Sequence, residues 1–359
     1  MSKYPDTTIY TAAGASRETV QAEVPLFLPL LDAHPALTLF TRSTPGFEEV
    51  RQVFNANTTI QPLVVVSPRT EAEVSATISF CSSHSPRIPL AIRSGGHDMW
   101  GRSLVQDGVV VDLRNIKYVE ISEDKSSARI GGGIMGGQLL DHLEKLGYTT
   151  PTGFCTGVGY AGWSLNGGYG VLEGKYGLGC DQILAARVVT ATGEVVDTKD
   201  DPELLWALRG AGNGNFGAVV ELTIKIYPQP TMLGGRLVFS LTEIQTVFTN
   251  LHELLVEEFP DEYSGDFLCA YVPGLGPIIT LLYTWVQDGK DLTRARAHLE
   301  KTQAVGKVLL NDVAESKYCE TPPYPIRWHL QASQPGIGKK LTRQNSSQQL
   351  RANMPPLWT

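Results

Sequence analysis

The chain is short of cysteine: Cys81, Cys155, Cys180, Cys269 and Cys319 are an odd number with no CxxC pair. That excludes a disulfide framework and a structural zinc site, and predicts residence in a reducing compartment. Positive charge is also short, with 30 Lys and Arg against 37 Asp and Glu and a net charge of −7. A nucleic-acid backbone needs concentrated Lys and Arg, so it is excluded as the main partner. No apolar run approaches the 18 residues of a membrane span, which argues against a membrane partner. The first residues, Met1-Ser2-Lys3-Tyr4-Pro5-Asp6, lack a basic start leading into an apolar run, so no secretory signal is expected and the cytoplasm is the expected location.

Glycine, by contrast, is abundant and unevenly placed. Twenty-five of the 36 glycines lie between Gly95 and Gly217. Upstream, residues 17–56 carry helix-like spacing through Val20, Val24, Leu26, Leu30, Phe47, Val50 and Val53. A strand is predicted over 62–66, an amphipathic helix over 70–82 and a second strand over 88–92 that runs into a glycine loop. Strand, helix, strand, glycine loop is an order that delivers backbone amides to a phosphate. Further strands are expected at 108–113, 127–131, 183–190 and 218–227, and helices at 135–146 and 201–208, the last with Asp201 as cap and Pro202 in its first turn. Beyond Pro230 the pattern becomes strands at 237–241, 267–272 and 278–286 with helices at 243–258 and 291–305. Residues 331–359 are polar and show little periodicity.

Two nucleophiles stand in glycine-rich loops fifty-eight positions apart. His97 lies in Arg93-Ser94-Gly95-Gly96-His97-Asp98, and Cys155 in Thr152-Gly153-Phe154-Cys155-Thr156-Gly157-Val158-Gly159. Glycines let backbone approach a ligand closely and expose consecutive N–H groups. An isolated Gly-Gly-His is more often a tight turn with a surface histidine, and a free cysteine is more often a small buried hydrophobe. Together the two loops point to an oxidised isoalloxazine tethered from two sides. Neutral imidazole is nucleophilic near physiological pH, and loop amides are expected to favour the thiolate of Cys155. Asp98 either orients the histidine ring or caps the loop. A Rossmann-type reading of Gly157-Val158-Gly159-Tyr160-Ala161-Gly162 is disfavoured, because no strand–glycine–helix unit with a placed acidic residue surrounds it.

These residues resemble the berberine-bridge-enzyme-like flavoproteins of the vanillyl-alcohol-oxidase, PCMH-type fold, over residues 63–228. The resemblance implies an α+β chain: an N-terminal helical segment (1–57), a PCMH-type FAD-binding domain of two α+β subdomains (58–229), and an α+β substrate domain with an antiparallel sheet (230–359). It implies that His97 bonds the 8α-methyl of FAD and Cys155 position 6 of the ring. Arg93, Ser94, Gly95, Gly96, Asp98, Gly157, Val158, Gly159, Gly162, Gly167, Gly168 and Gly170 would line the cofactor, with Asp181 and Val219 near its adenosine or ring. Val158 matches a position where a small residue leaves room for dioxygen. The chain departs from the family in Met99, often Tyr, and in Trp163, His in some relatives. A Tyr-x-Asn motif of the family's C-terminal segment is absent, so 230–359 read as an incomplete substrate domain.

The resemblance implies hydride transfer from a small organic substrate to FAD, with dioxygen as acceptor and hydrogen peroxide as product. A dehydrogenase, a non-redox cyclase and a non-catalytic remnant are the rival readings. The catalytic base is placed on a substrate-domain strand, with Tyr271 and Tyr283 as candidates, although a strand aromatic is more often core. No metal site and no oligomeric state is read from the sequence.

Overall fold

A computed structural model describes residues 13–316. The predicted features at 331–359 and Cys319 lie outside them. Among the described residues three sheets of four or more strands form the frame, beside a two-stranded one of Tyr148–Thr149 and Tyr227–Pro228, in the α+β arrangement expected.

The first sheet has the spatial order Thr38–Thr41, Val64–Ser67, Val109–Asp112, Leu90–Arg93. The last three are parallel. Helix Glu71–Ser83 carries the chain from Val64–Ser67 to Leu90–Arg93, and residues 94–108 bring it back to Val109–Asp112 between them. The helix start is a capping box, in which Thr70 Oγ1 accepts from Glu73 N at 3.2 Å and Glu73 Oε2 accepts from Thr70 N at 3.2 Å. The strands Val64-Val65-Val66 and Val109-Val110-Val111 are buried throughout. Val64, Val66, Val109 and Val111 pack with Val74, Ile78 and Cys81, while Val65 and Val110 pack with Phe40, Phe47, Val50 and Val53. Both faces are covered, which is why these strands are apolar at every position.

The helix-like spacing over 17–56 resolves differently from the expectation. Three short helices, Arg17–Glu23, Leu28–Ala33 and Phe47–Arg51, are interrupted by strand Thr38–Thr41. The strand pairs antiparallel with Val64–Ser67. Sheet pairing outweighs the local period there, and Pro25, Pro29 and Pro35 punctuate any longer helix.

The second sheet is antiparallel: Val119–Ile121, Ser127–Gly131, Ala218–Lys225, Ile183–Val189, Val195–Asp197. Helices Gly136–Lys145 and Pro202–Ala211 cover it through Leu139, Leu143 and Leu208. Asp201 caps the second, accepting from Leu204 N at 2.9 Å, and regular helix stops at Leu208 because Arg209 and Gly210 leave helical φ/ψ.

The third sheet joins Tyr263–Val272, Gly276–Gln287, Thr231–Ser240 and Val308–Asn311, all antiparallel, with Ala314–Ser316 also on Thr231–Ser240. Leu233, Leu237, Phe239, Leu281, Tyr283 and Trp285 share one face, buried with helices Ile244–Glu257 and Thr293–Gln303. Alternation along the strands puts Met232, Val286, Ser264 and Asp266 on the other face. There Met232 and Val286 pack with Leu140, Val171 and Leu172, beside Phe154 and Tyr176. The third sheet therefore turns its helix-free face toward the glycine-rich segment. Among the described residues no helix is long and apolar enough to cross a membrane.

Candidate active site

Strand Leu90–Arg93 delivers the histidine loop directly. Arg93 is 2% exposed, and its guanidinium donates to the carbonyls of Val50 and Gln52. Ser94 Oγ donates to Gly132 O at 2.9 Å. Gly96 adopts φ +67°, the left-handed region open to glycine, and turns the chain into His97. The half-buried imidazole stacks on Phe54 with centroids 4.0 Å apart and planes 22° apart. Burial holds its pKa below the ordinary histidine value, so the ring is neutral at neutral pH. Asp98 accepts from Trp100 N at 3.1 Å and Arg102 N at 2.7 Å and pairs with the Arg102 guanidinium at 2.8 Å. Of its two expected roles, capping the loop is the one the hydrogen bonds support.

The cysteine loop is strapped to helix Gly136–Lys145. Gly136 N donates to Val158 O and Gly137 N to Thr156 O, each at 2.9 Å, and Val158 N closes a turn on Cys155 O at 3.1 Å. The two loops meet backbone to backbone: a β-carbon on Gly95 would lie 2.3 Å from Gly159 N. His97 and Cys155 thus sit two and four residues from one contact. Cys155 is half-buried, and burial raises its thiol pKa. The expectation of a loop-stabilised thiolate is corrected: desolvation is the only resolved influence, and it favours the neutral thiol.

The remaining predicted glycines divide into two groups. Gly159, Gly168 and Gly170 pack against backbone of other segments, with added β-carbons 2.4 Å from Gly95 N, 2.9 Å from Gly179 Cα and 2.1 Å from Thr152 O respectively. Gly157 and Gly167 face open space within 4 Å, and Gly162 meets only Asn213 Oδ1 at 3.9 Å. Open space at Gly157 and Gly167, with an imidazole and a thiol on two loops in backbone contact, is compatible with a flat heterocycle bearing a dinucleotide tail. Val219 is buried in strand Ala218–Lys225 with its carbonyl against Gly132. Asp181 is exposed and accepts from Leu178 N at 2.8 Å, a local turn contact.

The two tyrosines expected to supply the base are placed elsewhere. Tyr283 is fully buried on the helix-covered face, with its hydroxyl 3.2 Å from Ala295 O and 3.1 Å from His298 Nδ1. Tyr271, 75% exposed, lies at the far end of its strand opposite Pro277. Strand alternation decides both: the odd-numbered positions of these strands turn away from the loops.

The sequence reading passed over the acidic groups that face the loops. The Tyr169 hydroxyl, on the glycine segment, donates to Asp266 Oδ1 on the third sheet. Ser264 Oγ donates to Val171 O at 2.8 Å, fastening the same strand face to the same segment. Tyr169 also meets Phe154, the neighbour of Cys155, edge to face at 5.0 Å. Burial, then the hydrogen bond to Asp266, raises the Tyr169 pKa, so it is a neutral donor. Burial and the Asp266 charge raise that of Glu173. A lone acid between glycine and apolar residues, Gly265-Asp266-Phe267, was the available signal. Trp163, the departure noted above, packs on Gly153, Gly168 and Gly179 and donates to Tyr169 O at 3.1 Å, holding that turn.

Comparison with known proteins bears on the domain and the fold. The FAD binding domain family profile matches residues 62–199. The chain is 38% identical over 295 residues to the FAD-linked oxidoreductase aurO of Gibberella zeae, covering 80% of this chain and 56% of that protein. It is 32% identical over 280 residues to (R)-6-hydroxynicotine oxidase of Paenarthrobacter nicotinovorans, covering 77% and 60%. The crystal structure of 6-hydroxy-D-nicotine oxidase from Arthrobacter nicotinovorans superposes with a TM-score of 0.72 at 30% identity, over 78% of this chain and 61% of that one. The chain thus spans under two thirds of the length of these relatives. The chain therefore carries an FAD binding domain over residues 62–199 and is similar in sequence and fold to FAD-linked oxidoreductases, 6-hydroxynicotine oxidase and berberine bridge enzyme-like proteins among them.

Proposed function

We propose that this chain holds FAD covalently through His97 and Cys155 and acts in an oxidase that takes hydride from a small organic substrate. The observation that carries the reading is the Gly95–Gly159 backbone contact, which gathers a neutral imidazole and a half-buried thiol onto one loop cluster. Gly157, Gly162 and Gly167 leave open the side on which the cofactor would lie, and Arg93, Ser94 and Gly96 hold the histidine turn. When bound, FAD would supply hydride acceptance and reoxidation by dioxygen to hydrogen peroxide.

The protein's own part is proton handling and exclusion of water. Tyr169 donates to Asp266 and can take a proton from a substrate O–H or N–H as its own moves to the carboxylate, a relay from the glycine segment to the third sheet. Burial and the Asp266 charge raise the Glu173 pKa, so further negative charge is disfavoured there. Phe154 and Tyr169 form an apolar wall for a planar substrate. Val158 is a small side chain beside this cluster, consistent with access for dioxygen.

The intact mass of the denatured protein tests the attachment. A gain equal to FAD, kept in His97→Ala and in Cys155→Ala and lost in the double variant, is expected; an unshifted wild-type mass refutes it. Stopped-flow reoxidation of the reduced protein in air tests the acceptor: reoxidation slower than turnover assigns a dehydrogenase instead.

A further inference from the structure

We infer that Phe54 is a positioning residue for His97, fixing the plane of its imidazole for attachment to the cofactor. Phe54 lies outside the matched FAD binding domain and outside the glycine-rich region. It is nonetheless tied to the histidine loop at three levels. Its ring stacks on the imidazole at 4.0 Å and 22°. Its N–H donates to Gly96 O at 2.9 Å, and the neighbouring Asn55 Nδ2 donates to Met99 O at 2.8 Å, so the segment grips both sides of His97. Beneath, Val50 O accepts from both Arg93 and Arg114, and Gln52 O from Arg93; Arg114 is in turn held by Asp112, with Nε at 2.8 Å from its carboxylate. Both arginines and Asp112 are buried, so this clamp is shielded from water.

A ring stacked on one imidazole face leaves the edge nitrogens as the reactive positions and removes rotation about the side-chain bonds. It also strips water from that face, which disfavours the imidazolium. The charged groups near the imidazole are already engaged: Asp98 by Arg102, and Arg93 by backbone carbonyls. Attachment replaces one methyl C–H and one imidazole N–H with a C–N bond. The two electrons and two protons released pass to dioxygen as hydrogen peroxide.

This inference rests on the proposed link through His97, and its test separates the two. Phe54→Leu removes the aromatic ring while keeping an apolar side chain, and Phe54→Tyr keeps the ring. Peptide mass mapping after incubation of each apoprotein with FAD reads the His97 and Cys155 peptides separately. Phe54→Leu is expected to slow loading of the His97 peptide at least tenfold while leaving the Cys155 peptide within twofold of wild type; Phe54→Tyr should behave as wild type. In the apoproteins, NMR titration of the His97 ring should show its pKa rising toward the ordinary histidine value in Phe54→Leu and unchanged in Phe54→Tyr. An unloaded His97 peptide in wild type would defeat the attachment reading alone, with the titration still deciding Phe54. A Phe54→Leu protein whose His97 titrates as in wild type overturns the inference.

Discussion

Replacing Gly95 by alanine tests the contact on which the site depends. The added β-carbon would stand 2.3 Å from Gly159 N, 2.9 Å from Gly159 Cα and 3.2 Å from Val158 C, all backbone, where ordinary contact begins at 3.4 Å. No flexible side chain is available to move, so the two loops must part by about 1 Å at a cost of about 1–3 kcal/mol. At ~2–4 °C per kcal/mol the melting temperature should fall by several degrees. The same displacement separates His97 from Cys155, and misplacement of about 1 Å can cost ~100-fold in a reacting geometry. Covalently retained FAD, measured after denaturation, should therefore fall with the melting temperature. Gly157→Ala is the control, since nothing lies within 4 Å of its β-carbon position. Its stability should stay within about 0.5 kcal/mol of wild type while FAD loading weakens. A Gly95→Ala protein that melts and loads as wild type refutes the argument, as does a Gly157→Ala protein destabilised to the same degree.

Tyr283→Phe should lower stability by about 1 kcal/mol, the worth of its buried hydroxyl contacts, and leave turnover unchanged; a fall in kcat of ~100-fold would restore it as the base. Asp266→Asn and Tyr169→Phe should each lower kcat by at least ~100-fold with little change in FAD content, and equal kcat in all three proteins would remove the relay. Because burial raises the Cys155 thiol pKa, the rate of loading at the cysteine peptide should climb as pH rises from 7 toward 9; a flat profile would show that the thiolate does not limit it. His298 is 3% exposed and its pKa is lowered by burial, against an opposing pull from Glu258. A depressed folded pKa means its stabilising contribution is complete above the unfolded value of about 6.5 and is lost as pH falls through the folded one. Thermal melts across pH 7.5 to 5 should thus fall more steeply in wild type than in His298→Gln; parallel curves would contradict this.

Much of the fold was legible locally. The apolar runs at 62–66 and 108–113 announced strands, the spacing over 70–82 announced a helix, and Asp201-Pro202 announced the start of another. The pairing of His97 and Cys155 was legible because glycine density marks where backbones approach closely. Strand Thr38–Thr41 was not, since its partner lies elsewhere in the chain and pairing overrode the helical period. The third sheet shows the same limit. Its strands were legible, but alternation leaves open which of two faces a tyrosine or an aspartate joins.

Residue type and spacing alone pointed to the chemistry proposed for this chain: an imidazole and a thiol in glycine-rich loops, on an α+β frame. Which groups surround that chemistry was decided in three dimensions. Phe54 reaches His97 across 43 positions, and Asp266 reaches Tyr169 across 97. Helices Ile244–Glu257 and Thr293–Gln303 claimed the odd-numbered face of their sheet and left Asp266 on the other. Local sequence sets periodicity and backbone freedom, whereas contacts between distant segments follow from how apolar faces are shared out when the layers close.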